Sequence, residues 1–380
     1  MCKRFLYVGG MRLPDRNAAA HRVLAIAKLL RELGYEVSFL DIDEEMTGGE
    51  LSPLHLCEGF EVRSQRRPTG TKDWARYILN PLHVEEVLTQ YPDTVGVIAY
   101  NYPAVALRKL RKICRKRGLI LLSDCTEWYV GEGLSLRGIA LRFDSFYRMR
   151  VVQKRLDGMI AISSFLGNYY EKHLPTVTLP PMTDLADPKW QGERTPHEGI
   201  RLSYAGSPGG KNKDRFAEIL RAVGNCENVF FQVVGITADE CKAANPDEAV
   251  LIDKLSAEGR VLFRGRLSHA EALAALRDCD YAVFFRQVNR VTTAGFPTKF
   301  AESISCGVPV ITNRTSDLES WAEKGCGAVL LPTDDFSAAL GEFLSSPAAL
   351  TPPAVRRDTF DYRGYAGQVE DFLRQTGLKN

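Results

Sequence analysis

Between Arg286 and Glu302 the sequence reads RQVNRVTTAGFPTKFAE, a run whose residue types suit a phosphorylated ligand. A strand precedes it and a helix opening at Pro297 follows, so the run lies at the carboxyl end of a strand. In open α/β sheets ligands bind there. Gly295, Phe296, Pro297, Thr298 and Lys299 surround the start of that helix, where unpaired backbone N–H groups attract an anion. Arg286 and Arg290 add charge, and a guanidinium can grip two phosphate oxygens at once. Glu302 follows one turn later, where a carboxylate suits ribose hydroxyls better than phosphate. The alternative is a solvated loop with a helix cap.

Three other segments carry comparable groups. Ala205 to Asp214, AGSPGGKNKD, follows a strand and enters a helix; Gly206 permits close ligand approach, and Lys211 and Lys213 suit a diphosphate. It fits neither a GxGxxG fingerprint nor a P-loop, and an ordinary turn with surface lysines remains open. Near the N-terminus, Gly9 and Gly10 end the first strand, and Arg22 lies early in the next helix. Asp124 and Glu127, in SDCTEWY, form a carboxylate pair at another strand end, with Trp128 and Tyr129 as stacking surfaces for a sugar. A capped loop burying an aromatic is the plainer reading.

The elements that must hold these groups repeat a strand–loop–helix rhythm. Strands are expected at 4–8, 37–42, 95–100, 119–123 and 158–163, and helices at 17–33 and 104–116. Asn17 is the expected cap of the first helix and Gly34 its stop. Residues 175–198 hold five prolines and read as a connection, with a hinge near 180–198. The rhythm then restarts, with strands at 201–205, 229–234, 261–263, 281–285 and 308–312. Helices are expected at 214–223, from Ser268 to Cys279 behind a Ser268–Glu271 capping box, and at 297–306. The expected class is α/β, with two Rossmann-like parallel-sheet domains facing a central cleft. The domains are placed at 1–182 on the acceptor side and 183–358 on the nucleotide side, with a C-terminal helix in 359–380 packing back on the first.

Composition narrows the function classes. The chain has 380 residues, 45% hydrophobic and 25% charged, with a net charge of +2, too weak a field to argue for nucleic acid. Its nine cysteines contain no CxxC pair and read as small buried hydrophobes. Neither a signal peptide nor an apolar run of membrane-spanning length is present, so a cytoplasmic protein is expected. Two stretches qualify this. Residues 105–117 carry seven lysines and arginines and no acid, and 134–155 mix arginines with exposed-type aromatics. Either reads as a solvated outer helix or as a peripheral contact with an anionic membrane surface.

Taken together, the segments VGGMRLPDRNAAAHRVLAIAKLLRELGYEV, SDCTEWY, DGMIAISSFLGNYYEKH with LPPMTD, LSYAGSPGGKNK and RVTTAGFPTKFAESISCGVPVITNRTSDLE resemble glycosyltransferase family 4. The likeness covers nearly the whole chain and is greatest to bacterial capsule and lipopolysaccharide enzymes. It implies the GT-B fold and a retaining transfer from a nucleotide-sugar, UDP- or GDP-linked, to a glycan or lipid-linked acceptor in cell-surface polysaccharide synthesis. It implies no metal or other cofactor. The family's Glu-x7-Glu motif puts its ribose-binding glutamate at Glu302 and its sugar-holding glutamate at Ala294, a departure. The family's phosphate arginine falls on Ser207 and its lysine on Lys213, with Arg286 a replacement for the arginine. The resemblance implies catalytic roles for Lys213, Arg286, Glu127 and Asp124, and a donor site of Glu302, Gly295, Phe296, Pro297, Thr298, Lys299, Gly206, Lys211, Arg290, Gly10 and Arg22. A non-catalytic sugar-nucleotide sensor and a sugar-nucleotide epimerase are the alternatives.

Overall fold

The computed structural model describes residues 3–47, 51–129, 135–206, 214–332 and 335–378. They fall into two compact units. The first comprises Met1–Met182, Ala294–Phe296 and Tyr362–Asn380, and the second Thr183–Thr293 and Pro297–Asp361.

The first unit is built on β1 (Lys3–Val8), β2 (Tyr35–Asp43), β3 (His55–Cys57), β4 (Phe60–Arg66), β5 (Thr94–Tyr100), β6 (Ile120–Cys125), β7 (Gly158–Ala161) and β8 (Thr176–Thr178), ordered β3-β4-β2-β1-β5-β6-β7-β8. Its pairings are parallel except β3 with β4. Central strands of such a sheet are covered on both faces, which is why β1 buries Phe5, Leu6 and Tyr7 in succession. Along the sheet run α1 (Ala18–Glu32), α2 (Gly70–Leu79), α3 (Val84–Gln90), α4 (Ala104–Arg117), α5 (Leu136–Tyr147) and α6 (Ser164–Tyr170). Asn17 caps α1 as expected, its side chain accepting from the Ala20 N–H at 3.0 Å. Asn17→Ala is therefore expected to cost about 1 kcal/mol, read as a lower urea midpoint at unchanged slope. Val369, Phe372 and Leu373 of the C-terminal helix, Ala366–Gln375, lie in the same core as Phe5 and Ile98.

Two features depart from the expected rhythm. Between β2 and β5 the chain forms a hairpin, β3–β4, turning on Glu58 (φ +48°) and Gly59 (φ +78°), the left-handed pair that a two-residue hairpin turn requires. The proline-rich stretch after residue 175 opens with a strand, β8, which pairs with β7 at the sheet edge.

The second unit holds β9 (Ile200–Ala205), β10 (Val229–Val234), β11 (Val261–Phe263), β12 (Tyr281–Val283), β13 (Val310–Thr312) and β14 (Ala328–Leu330), all parallel in the order β11-β10-β9-β12-β13-β14. Its helices are α7 (Phe216–Asn225), α8 (Ala238–Ala244), α9 (Ala249–Ala257), α10 (His269–Arg277), the short α11 (Arg290–Ala294), α12 (Thr298–Ser305), α13 (Leu318–Glu323) and α14 (Phe336–Ser345). The Ser268–Glu271 capping box forms at the start of α10. The expected α/β class, with two parallel-dominated sheets, is what the chain adopts. The eight cysteines among the described residues are all buried and unpaired.

Candidate functional site: a cation pair at the strand ends of the second unit

In the second unit β9 has β10 on one side and β12 on the other, so chain order reverses across it, the place where open α/β sheets bind their ligands. Gly206 follows β9 at φ +121° and Gly235 follows β10 at φ +108°. A Cβ on Gly235 would stand 2.8 Å from the Gly206 carbonyl oxygen, so the two backbones meet where only glycine fits. Their amides are satisfied, Gly206 N–H by Val234 O at 2.8 Å and Gly235 N–H by Gly265 O at 2.7 Å.

Residues 207–213, and with them Lys211 and Lys213, lie outside the described residues. The chain resumes at Asp214, a buried carboxylate that gathers the site's cations. Its Oδ2 accepts from Lys299 Nζ at 2.6 Å and from the Tyr204 hydroxyl at 2.7 Å, and its Oδ1 from Arg286 Nε at 3.2 Å. Lys299 projects from the first turn of α12 and places its ammonium over the Tyr204 ring, 3.9 Å from the centroid. Burial pulls this ammonium down to about 8, against the opposing attraction of Asp214. Burial also works against the Asp214 carboxylate, yet Lys299 and Arg286 together hold it below the usual range. Arg286 is fixed along its backbone by Asn313, which accepts from its N–H at 2.8 Å and donates to its carbonyl at 2.9 Å.

Two cations share the one buried carboxylate of Asp214 at a strand end, with Gly206 beside them. A Cβ on Gly206 would lie 3.7 Å from Lys299 Nζ, so a ligand resting on this glycine is within reach of the ammonium. Glu302 shares a small hollow with Lys299, Tyr204 and Ala205, and its Oε1 lies 3.7 Å from His269 Nε2. The arrangement can hold a diphosphate on Lys299 and Arg286 and present a carboxylate to a neighbouring sugar hydroxyl. Asp214 and Tyr204, which orient the cations, went unrecognised in the sequence, where Asp214 reads merely as the start of a helix.

Other expected donor residues are distributed differently. Pro297 and Thr298 open α12 beside Lys299, with Pro297 at the cap rather than inside the first turn. Ala294, Gly295 and Phe296 group with the first unit, where the Ser163 hydroxyl donates to the Ala294 carbonyl at 2.7 Å. Arg290 is exposed at the start of α11.

In the first unit two expected site residues are buried and bonded to each other. Asp124, read as a catalytic carboxylate, is 0% exposed, and Arg22, read as a donor contact, is 3% exposed. They face each other: Arg22 Nη2 and Nε donate to Asp124 Oδ1 at 2.8 and 2.9 Å, Arg22 Nη1 donates to Leu179 O at 2.8 Å, and the Tyr7 hydroxyl donates to Asp124 Oδ2 at 2.7 Å. Burial and the Asp124 charge push Tyr7 well above its usual range, keeping the hydroxyl a donor. The pair ties α1 to β6 and to the backbone at Leu179. Trp128, expected to stack on a sugar, is buried edge-on against Tyr169 at 4.9 Å. Glu127 is partly buried, its carbonyl facing Arg148. Gly10 sits beyond β1, with Ile42 Cδ1 3.3 Å from where a Cβ would lie.

Residues 200–346 match the family model described as Glycosyl transferases group 1, a span that contains Gly206, Asp214, Arg286, Lys299 and Glu302. A comparison with curated proteins finds no match. Among solved structures, the chain is similar to sucrose-phosphate synthase from Thermosynechococcus elongatus, at 14% identity and TM-score 0.69 over 98% of each chain. It is similar to Anabaena Alr3699/HepE, solved in complex with UDP and glucose, at 14% identity and TM-score 0.63 over 98% of this chain and 99% of that one. WaaG, a glycosyltransferase involved in lipopolysaccharide biosynthesis, aligns at 13% identity and TM-score 0.60 over 98% of this chain and all of the other. The chain has the GT-B fold, and residues 200–346 of its second unit are similar to the group 1 glycosyl transferases.

Proposed function

We propose that this protein is a retaining glycosyltransferase that takes a UDP- or GDP-sugar and delivers the sugar to a glycan or lipid-linked saccharide in cell-surface polysaccharide synthesis. The observation that carries this reading is the Asp214-anchored pair of Lys299 and Arg286 at the β9 and β12 strand ends, inside the segment that matches group 1 glycosyl transferases. HepE, with UDP and glucose bound, supports the donor class. In this reading Lys299 and Arg286, with Lys213, bind the diphosphate and stabilise the charge it gains as the bond to the anomeric carbon breaks. The acceptor oxygen bonds to that carbon on the same face, and its proton passes to the departing phosphate oxygen. Neither a protein base nor a divalent metal is then required. Glu302 holds the ribose.

Thermal shift with UDP, GDP, ADP and CMP, each with EDTA and with magnesium, tests the reading. A nucleotide at about 100 times its Kd stabilises by about 2.7 kcal/mol. One diphosphate nucleotide is expected to raise the Tm in EDTA, and Glu302→Ala to remove the rise. Four flat curves would leave the cleft reading without a donor.

A non-catalytic nucleotide-sugar sensor is the second reading. Ala294 favours it: a fully buried methyl stands where the resemblance puts a donor-sugar glutamate. Release of free nucleotide dependent on an acceptor separates the two.

A further inference from the structure

Strands β11, β10 and β9 form one edge of the second unit's sheet, and alternation along them sends Arg201, Phe230, Leu262 and Arg264 to one face. Leu202, Phe231 and Val261 turn to the other face, where Phe231 meets Phe216 of α7 with ring centroids 5.6 Å apart. On the first face α10 packs against β9, and apolar surface stays open beside it: Phe230 is 40% exposed and Leu262 51%. These two side chains, with Ala274 and Ala275 of α10, line a cavity of about 520 Å³. It shares no lining residue with the hollow that holds Lys299 and Glu302.

The charged groups along this cavity divide into those already engaged and those that are not. Glu271 Oε2 accepts from the Ser268 N–H at 2.9 Å, Asp278 Oδ1 accepts from the Thr195 N–H at 3.1 Å, and Arg260 Nη2 donates to the Val223 and Cys226 carbonyls. Arg201 and Arg264 make no ion pair and no side-chain hydrogen bond among the described residues. Strand register sets Arg201 beside Phe230 and Arg260 on its other side, with Arg264 four residues, about 13 Å, further along the strand direction.

We propose that this cavity binds a small aromatic anion, a flat ring system of nucleotide size bearing a phosphate or carboxylate, with the ring against Phe230 and Leu262 and the anionic group on Arg201. A guanidinium can take two oxygens of either anion at once, and Phe230 supplies an aromatic face or edge for the ring next to it. The volume falls within the roughly 300–1,000 Å³ of small-molecule sites. A neutral sugar would use the Phe230 ring and leave both guanidiniums without a counter-charge, so the charge selects an anion. A second copy of the chain would have to insert a projection beside α10, whereas a free small molecule fits the concave surface as it stands.

The cavity is independent of the donor reading, and its test is read without turnover. The full chain, in excess UDP, is titrated calorimetrically with AMP, with 1-naphthoate and with inorganic phosphate. AMP, 1-naphthoate or both are expected to bind about tenfold or more tightly than inorganic phosphate, because they alone offer Phe230 a ring. Phe230→Ser and, separately, Arg201→Glu are each expected to weaken that binding by about tenfold or more. Circular dichroism and the UDP-induced Tm rise of both variants are expected to match the parent, which separates loss of this site from loss of fold or donor binding. A parent that ignores UDP yet binds AMP or 1-naphthoate through Phe230 supports the cavity while the donor reading fails. Preference for AMP assigns a nucleoside phosphate as the occupant, and preference for 1-naphthoate an aromatic carboxylate; either supports the proposal. Absence of binding by both at millimolar concentration overturns it, as does binding no tighter than that of inorganic phosphate or binding unchanged in the two variants. A dimer in sedimentation equilibrium that Phe230→Ser abolishes also overturns it, assigning the face to a second copy.

Discussion

Asp124→Ala is expected to destabilise the protein by about 3–5 kcal/mol, the cost of leaving one member of a buried ion pair alone. Arg22 is 3% exposed, and its guanidinium faces Asp124 on one side and the Leu179 carbonyl on the other. Without the carboxylate it retains a full charge with backbone oxygens as its main compensation, and the Tyr7 hydroxyl loses its acceptor. Arg22→Met alone is expected to cost a similar amount, now from an uncompensated Asp124. The double variant, Arg22→Met with Asp124→Leu, is expected to recover most of the loss, because removing both charges removes the desolvation penalty too. Urea denaturation of the four proteins gives the coupling directly. Single variants as stable as the parent would remove the pair from the structural frame. The double variant also decides the role of Asp124: a stable protein with parental nucleotide binding and turnover is expected here, and a stable but inactive one would return Asp124 to catalysis.

That pair shows where the sequence can be read and where it cannot. Asn17 at the start of α1 and Ser268–Glu271 at the start of α10 are local signals, made by side chains bonding to amides within three residues, and both form as read. Asp124 reads locally as a site residue, since an acid at a strand end with an aromatic behind it looks like one. Its partner Arg22 lies 102 positions away, so its burial is invisible until the sheet is assembled. Asp214 is the reverse case: its local context suggests a helix start, and the contacts that make it a hub come from 72 and 85 positions away. Arg286, Lys299 and Glu302 were readable as candidates because a strand end followed by a proline-opened helix places them together. Of the unexpected strands, β3, β8 and β14 are three residues each, too short to show alternation, and β4, FEVRSQR, is long enough but carries apolar residues only at Phe60 and Val62.

Lys299 carries the second large effect. Lys299→Met is expected to weaken diphosphate nucleotide binding by about 10- to 100-fold, the range for losing hydrogen bonds to a charged group. The substitution also removes one positive charge and leaves Asp214 paired with Arg286. In the parent, affinity is expected to fall as pH rises through about 8, where the buried ammonium loses its proton. Lys299→Arg, charged at every accessible pH, is expected to flatten that decline even if it binds less tightly. Stability moves the opposite way. An unfolded lysine titrates near 10.4, so between about 8 and 10.4 the folded state binds fewer protons and Lys299 makes the protein more stable as pH rises. The contribution is complete above 10.4 and is lost as pH falls through about 8. A general alkaline unfolding would lower affinity and stability together, whereas titration of Lys299 separates them. Isothermal titration with UDP from pH 6.5 to 9.5, beside denaturation curves at the same pH values, reads both slopes. Parental affinity that is flat across this range, or Lys299→Met binding as tightly as the parent, would remove Lys299 from the phosphate site and leave Arg286 as the cation to test.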